Sequence, residues 1–241
     1  AAGALAESIR DEGGALRARM RLARVLRTSG QVDAADALLT AHLPRARELG
    51  EREAVAEGLL ARAHIAWTRG DTDKCEVYAQ EGLIQAGTAF PRARADLLLA
   101  VTAVQASRGQ LASAAVGLNE AQTLFRDLRM HGMRATALAN LAEVELGQGD
   151  PVAAWEHGAD ALAETEAESA GNEGAPSAAA HLIRGIAALE LGAWAEARAE
   201  LENGRAKAES LGLGAAVLGA NVYLARTRLA QGDPTAALHV L

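Results

Sequence analysis

The sequence predicts an all-α protein, a solenoid built from about six helix-turn-helix repeats. Glycines recur at steps of 40, 39, 40, 43 and 40 residues, and small residues hold a fixed phase relative to them. Such a period is typical of stacked repeats in which each unit contacts its neighbours. Half of the residues are hydrophobic but only 3% are aromatic, so Ala and Leu supply the apolar content. This composition favours closely packed helices over strands.

Each recurrent glycine marks the turn between helix A and helix B of one repeat. A glycine can take the positive φ that ends a helix, and a small residue nearby lets two helices approach. The six glycines are Gly30, Gly70, Gly109, Gly149, Gly192 and Gly232. The residues five positions after them are Ala35, Cys75, Ala114, Ala154, Ala197 and Ala237, and those seven before are Ala23, Ala63, Thr102, Ala142, Gly185 and Ala225.

In chain order, the pattern predicts one repeat domain over 1–241, with 1–14 as the end of a preceding repeat. The repeats cover about 15–50, 51–90, 91–131, 132–170, 177–212 and a truncated 213–241. The predicted A helices are 15–29, 52–69, 92–108, 133–148, 177–191 and 214–231, and the B helices are 33–49, 72–87, 111–130, 151–169, 194–211 and a last one cut at 241.

Local signals refine this pattern. Asp71, Asp150 and Asp233 follow turn glycines and are predicted helix N-caps. Pro44 is predicted to kink or break its helix, because proline removes a backbone hydrogen bond. The stretch 169–176 explains the 43-residue step and is expected to be the most mobile internal segment. The missing initiator Met and the end inside a helix suggest a piece of a longer protein.

Composition restricts the possible functions. The net charge of -7 and the pI of about 5.4 argue against direct binding of nucleic acid. No stretch is long and apolar enough to cross a membrane. The single cysteine, Cys75, suits a reducing compartment, so we expect a cytoplasmic protein. The six histidines form no metal-spaced pair and no phosphate loop is visible, so we expect no enzyme activity, metal or cofactor.

These features resemble tetratricopeptide repeat (TPR) proteins, whose unit has small residues at these phases and a Gly-Asp or Gly-Asn turn. The resemblance covers essentially the whole chain, although the period is about 40 rather than ~34 residues. It implies a right-handed superhelical α-solenoid whose A helices line a concave binding face. The longer repeat is similar to the sensor domains of large bacterial transcription activators and to peptide-binding repeat domains of signalling proteins.

If the family geometry holds, four positions before each glycine face the concave side. They include Glu57 and Asp96, and they place Trp67 beside His64 as a candidate anchor. Arg17, Arg24 and Arg27 suggest a clamp for a carboxylate or phosphate, with a solvated charged helix as the alternative. The apolar members could equally be helix packing. The candidate residues are Arg17, Met20, Arg24, Arg27, Leu60, His64, Trp67, Leu99, Glu143, Leu146, Ile186, Leu189 and Arg226.

The sequence therefore favours a non-enzymatic domain that binds a protein segment or peptide, as a scaffold or sensor within a larger bacterial regulator. One alternative is a small-molecule effector domain of a transcriptional activator. A second is an oligomerisation spacer, because the sequence leaves the oligomeric state open.

Overall fold

The structure is a computed structural model that describes residues 11–167 and 174–240. These residues form twelve α-helices and no strand within the described ranges. The helices are α1 (Glu12–Thr28), α2 (Val32–Glu48), α3 (Arg52–Thr68), α4 (Thr72–Ala86), α5 (Pro91–Ser107), α6 (Leu111–Asp127), α7 (His131–Gln148), α8 (Pro151–Ala167), α9 (Ala175–Glu190), α10 (Trp194–Ser210), α11 (Gly214–Ala230) and α12 (Pro234–Val240).

The turn that defines the repeat is present in all six predicted places. Each recurrent glycine adopts a positive φ, from 74° at Gly109 to 81° at Gly30 and Gly232. In five of the six turns, the N–H of the residue after the glycine donates to a carbonyl of the preceding helix, as Asp150 N does to Glu145 O at 2.9 Å. This geometry satisfies carbonyls that a helix end would otherwise leave unpaired, and it starts the next helix at once.

Aspartates cap the helices that follow three of these turns. The carboxylates of Asp71, Asp150 and Asp233 accept hydrogen bonds from the N–H groups three residues later, at 2.9 to 3.0 Å. An N-cap carboxylate of this kind pairs one of the orphan donors at the helix start. The predicted caps are therefore confirmed.

The small residues in fixed phase are the points of closest helix packing. Ala35, Ala114, Ala154 and Ala197 are all completely buried. At Gly82 an added Cβ would lie 2.6 Å from Leu97 Cδ2, and at Gly185 it would lie 2.5 Å from Leu201 Cγ. At Gly82 the nearest atoms belong to the end of the Leu97 side chain, which would have to move, whereas at Gly185 the backbone N of Leu201 also lies 3.0 Å away, so a larger residue there would press on the backbone of the neighbouring helix. Cys75 holds the same position in its repeat and is also buried, and burial raises the pKa of its thiol.

One local expectation was wrong, and another was wrong in one of its two alternatives. Helix α1 begins at Glu12 rather than at residue 15, because Asp11 caps it by accepting from Gly14 N at 2.8 Å. Pro44, which is exposed, does not break its helix, because α2 is continuous from Val32 to Glu48, and the predicted kink stays a prediction. The segment 1–10 and most of the loop predicted to be mobile, residues 168–173, lie outside the described residues, and α9 begins at Ala175.

By its internal contacts, the chain divides into two compact units, residues 1–109 and 110–241. The division falls at the turn between the two helices of the predicted third repeat. Unit 1 contains α1 to α5, and its core is built around side chains such as Leu39, Leu43 and Leu97. Unit 2 contains α6 to α12, and one of its cores is centred on Leu138, Ala154 and Ala187. Whether 1–241 forms a single domain stays a prediction.

Arginines connect successive repeats inside unit 1. Arg69, at the end of α3, donates to Asp36 at 2.8 Å and to Asp33 at 2.9 Å, both on α2. Arg108, at the end of α5, pairs in the same way with Asp73 and Glu76 on α4. We call these two sets the arginine ladder.

In unit 2, histidines pair with acids between the two helices of one repeat rather than between successive repeats. His131 Nδ1 lies 2.7 Å from Glu164 Oε2, and His181 Nδ1 lies 2.7 Å from Glu200 Oε2. The Arg184 guanidinium also pairs with Glu200 and stacks over the Trp155 ring, 4.0 Å from its centroid.

Within the described parts of the chain, no helix has the length and apolarity that crossing a bilayer requires.

Candidate binding groove

A groove with a cavity volume of about 510 Å³ lies in unit 1, between α1, α3 and the start of α5. We call it the unit 1 groove. The turn between α4 and α5 closes one side of it. Its lining residues are Met20, Arg21, Arg24, Glu53, Glu57, Leu60, Ala61, His64, Ala89, Phe90, Pro91, Arg92, Ala93 and Asp96.

The floor of the unit 1 groove is apolar and rigidly held. Met20 is 1% exposed, Leu60 6% and Ala93 8%, and each also belongs to the core that packs the helices together. Ala61 and Ala93 leave the groove deep at their positions, because their side chains do not extend beyond Cβ. Side chains that the core holds in place form a preformed surface, which is typical of a binding site.

The basic side chains of the groove come from α1 and from the start of α5. Arg21 bridges two acids of α3, with its Nη2 3.4 Å from Glu53 Oε1 and its Nε 3.4 Å from Glu57 Oε1. Arg24 is exposed and forms no ion pair within the described part of the chain. Arg92 Nε lies 3.9 Å from Asp96 Oδ2, a loose pair across one helical turn.

The acidic side chains lie deeper. The side chains of Glu57 and Asp96 are 21% and 13% exposed, whereas those of Arg21 and Arg92 are 56% and 58% exposed. Burial raises the pKa of the Asp96 carboxyl and the nearby Glu57 raises it further, while Arg92 and Arg24 act in the opposite direction. The groove therefore has a negative interior and a positive rim.

His64 lies on α3, one turn beyond Leu60, at the end of the groove. Burial lowers its pKa to about 4, and the positive charge of Arg27 adds to this effect. A neutral imidazole results at physiological pH, with one nitrogen that donates and one that accepts. Arg27 itself does not line the groove, and its buried Nε has no hydrogen-bond partner among the described residues.

Four of the predicted site residues therefore meet in this groove: Met20, Arg24, Leu60 and His64. The others of unit 1 lie outside it. Arg17 is held by Glu51, with 2.6 Å between Nη1 and Oε2. Trp67 is 42% exposed and follows His64 on α3 by one turn, and Leu99 is half-buried on α5.

The predicted site residues of unit 2 are placed differently from one another. Leu146 is half-buried and packs against a hydrophobic core of its unit. Ile186 and Leu189 are also half-buried, on α9, while Glu143 is exposed on α7. Arg226 is exposed on α11 and lies over the Tyr223 ring, 5.1 Å from its centroid.

Sequence reasoning missed part of the unit 1 groove. Phe90 ends the turn between α4 and α5, which the repeat pattern treats only as a connection, and Pro91 is the first residue of α5. Glu57 and Asp96 stood at groove positions of the repeat but were not selected. Their signal was two acids at equivalent places in successive A helices, on a chain whose first helix is basic.

The side chains of the groove are suited to non-covalent binding of a ligand. Its groups can donate, accept, pair with charges and contact apolar surface. No three His, Cys, Asp or Glu side chains in residues 11–167 and 174–240 come together as a metal-binding group.

No protein-family model matches the sequence. No curated protein matches it in sequence either.

The fold, in contrast, matches solved structures. BtubC from P. vanneervenii superposes with a TM-score of 0.68 and 19% identity, over 85% of this chain and 86% of that protein. A signal-transduction ATPase with a tetratricopeptide repeat sensor, from Pyrococcus horikoshii, gives a TM-score of 0.72 at 13% identity, over 94% of this chain and 34% of that protein. A Rap protein in complex with competence and sporulation factor gives 0.66 at 14% identity, over 93% and 74%.

These similarities confirm that the chain has an all-α fold of TPR-like repeats. The identities are too low to transfer a function from any of the three proteins. What this chain binds has to be argued from its own residues.

Proposed function

We propose that this chain is a protein-interaction domain that binds an extended segment of a partner protein or a peptide in the unit 1 groove. The observation that carries the proposal is the combination of an apolar, preformed floor with six charged side chains around it. Apolar contact supplies affinity, and a few placed polar groups supply orientation and specificity. The groove lies on A helices, where the resemblance to TPR proteins predicted the binding surface.

The similarity in fold to a repeat protein solved with a bound factor and to a sensor domain supports this proposal. Because the long repeat resembles the sensor domains of bacterial transcription activators, we also propose a place for the domain within a larger cytoplasmic regulator of a bacterial cell, with transcription as the regulated process. A longer bound segment would continue from His64 to Trp67, whose exposed ring follows on the same helix.

A second candidate is the binding of a small-molecule effector. The groove volume of about 510 Å³ falls within the range of roughly 300–1,000 Å³ that ligand pockets occupy. An effector of this kind would contact the same floor and the neutral His64.

A displayed library of random heptapeptides tests the proposal. Peptides enriched by the wild-type protein are synthesised, and their dissociation constants are measured by fluorescence anisotropy. Ala89→Trp fills the groove from its exposed side, so we expect it to weaken binding by about tenfold or more, whereas Arg24→Ala removes only a solvated rim charge and should change binding much less. Neither change touches the buried core, so the melting temperature should stay the same.

Arg198→Ala is the control, because Arg198 is an exposed helical arginine of unit 2 whose partner is Glu202 at 3.7 Å. It should bind every selected peptide as the wild type does. If no peptide is enriched, or if Ala89→Trp binds the enriched peptides normally, the groove is not a peptide site. Retention of a small molecule in native mass spectrometry would then favour the second candidate.

A further inference from the structure

The two deepest charged groups of the unit 1 groove are poorly paired carboxylates. Glu57 Oε1 lies 3.4 Å from Arg21, a long contact, and Glu57 Oε2 is buried with no hydrogen-bond partner in residues 11–167 and 174–240. Asp96 Oδ2 is 3.9 Å from Arg92, beyond hydrogen-bond distance. The surrounding structure therefore leaves acceptor capacity unused at two neighbouring sites.

Unused acceptors of this kind are costly. Burying a charged group removes its hydration, and the cost is recovered only when a donor or an opposite charge replaces the water. The raised pKa of Asp96 has this physical origin, because burial and the charge of Glu57 both disfavour its ionised form. A cation placed beside Glu57 and Asp96 would relieve both.

We propose that the segment bound in the unit 1 groove carries a basic side chain, arginine or lysine, whose charged end enters the groove beside Glu57 and Asp96. This inference rests on the proposed function, because it specifies the chemistry of the bound segment. A guanidinium suits the site best, since it presents several donors in a plane and can bond two carboxylates at once.

Burial decides between a cationic and an anionic ligand. The groove is lined by three arginines and by three acids, so its formal charge gives no preference. Glu57 and Asp96 lie inside, and the arginines lie on the rim, where water already solvates them and an added anion would gain little. An anion that entered the groove would instead meet Glu53, Glu57 and Asp96.

The apolar groups beside these carboxylates define the neighbour of the basic residue. Phe90 and Pro91 stand next to Arg92 in the chain, and Met20 and Leu60 form the floor. A basic residue followed or preceded by an apolar residue would match both parts of the groove. The aliphatic stem of the basic side chain would also cover part of the floor.

The test uses the enriched heptapeptides on the full chain. We expect them to share an arginine or lysine next to an apolar residue. Replacing that arginine by citrulline, which keeps the shape and removes the charge, should weaken binding to the wild type by at least about tenfold. For a shared lysine, acetyl-lysine serves the same purpose. The near-isosteric variant Glu57→Gln/Asp96→Asn should bind the charged and neutral peptides within about twofold of each other.

Glu156→Gln, an exposed acid of α8, is the matched control and should keep the wild-type preference. The peptide comparison on the wild type needs no variant, so it decides the question even if the double variant does not fold.

Two results would overturn the inference and leave the proposed function standing. In one, groove-dependent peptides lose no affinity when their cation is neutralised. In the other, the shared feature is an acidic residue whose contribution disappears in Arg24→Ala. Peptides that ignore the groove, or the absence of any enriched peptide, would remove the proposed function and this inference together.

Discussion

At the scale of single residues, His64 carries a titratable group whose pKa depends strongly on its burial. Burial lowers its pKa to about 4, whereas an unfolded chain holds a histidine at about 6.5. Between these two values the unfolded chain binds a proton that the folded protein does not bind. Protonation therefore favours unfolding, and stability is lost as the pH falls from about 6.5 towards 4.

His64→Gln should remove this dependence. We expect the wild type to lose up to about 3 kcal/mol of stability between pH 7 and pH 4 through this residue, and the variant to lose correspondingly less. Urea unfolding at several pH values measures the difference, and the imidazole chemical shifts give the midpoint directly. A His64 midpoint near 6.5 would show that the imidazole is solvated and that the environment described above is wrong.

The sequence could predict some of the residues that line the groove but not the partners of their side chains. Met20, Arg24, Leu60 and His64 could be selected because the repeat phase identifies one face of each A helix. The pairing of Arg17 with Glu51 and of Arg21 with Glu53 could not, because these contacts depend on the angle between neighbouring helices. Periodicity gives the face of a helix but not the partner of a long side chain.

At the scale of helices, the position five residues after each turn glycine controls how closely helix B approaches its neighbours. Ala154 on α8 is completely buried in the core that contains Leu138 and Ala187. There is no free volume for a larger side chain, so added methylenes must displace the helices.

Ala154→Leu should therefore destabilise unit 2 by about 1–3 kcal/mol, measured by urea unfolding. Ala163→Leu adds the same atoms at an exposed position of the same helix and should change stability by less than about 0.5 kcal/mol. Equal stability of the two variants would contradict the assignment of the small-residue positions to the packing surface.

Helix bounds were the most predictable feature, because turn chemistry marks them locally. The largest differences were at the start of α1 and at the end of α6, where Asp127 rather than residue 130 is the last helical residue. Gly13 and Gly14 fall in the segment that was assigned to a preceding repeat, yet they lie inside α1. An added Cβ would lie 2.2 Å from Asp11 Oδ2 at Gly14 and 2.1 Å from Glu51 Oε1 at Gly13. These glycines make room for two carboxylates.

At the scale of the whole chain, a repeat protein need not unfold as one cooperative body, because stability is a sum of local units and their interfaces. The division after Gly109 was not visible in the sequence, since the period passes through it unchanged at Gly109 and Gly149. It depends on how many contacts each helix makes, and a regular spacing of glycines carries no such information.

Hydrogen exchange of the full chain tests the division. Gly82→Val in unit 1 would place a Cβ 2.6 Å from Leu97 Cδ2, so we expect faster amide exchange in the helices of residues 11–109. Exchange in the helices of residues 110–240 should change much less. Ala154→Leu should give the opposite pattern. A uniform increase across both units in either variant would mean that the chain opens as one cooperative body.

The arginine ladder has a consequence for how such a chain could be lengthened. In the second repeat one segment carries both halves of the contact, Arg69 at the end of α3 and the Asp73–Glu76 pair on α4. If this segment were duplicated in tandem, the arginine of the second copy could pair with the two acids of the first copy. The equivalent residues of unit 2 are Gln148, Leu191 and Gln231, none of which carries the positive charge of this ion pair. Duplication of this repeat would thus keep the ion pair between neighbouring repeats, whereas exchange of repeats between unit 1 and unit 2 would lose it.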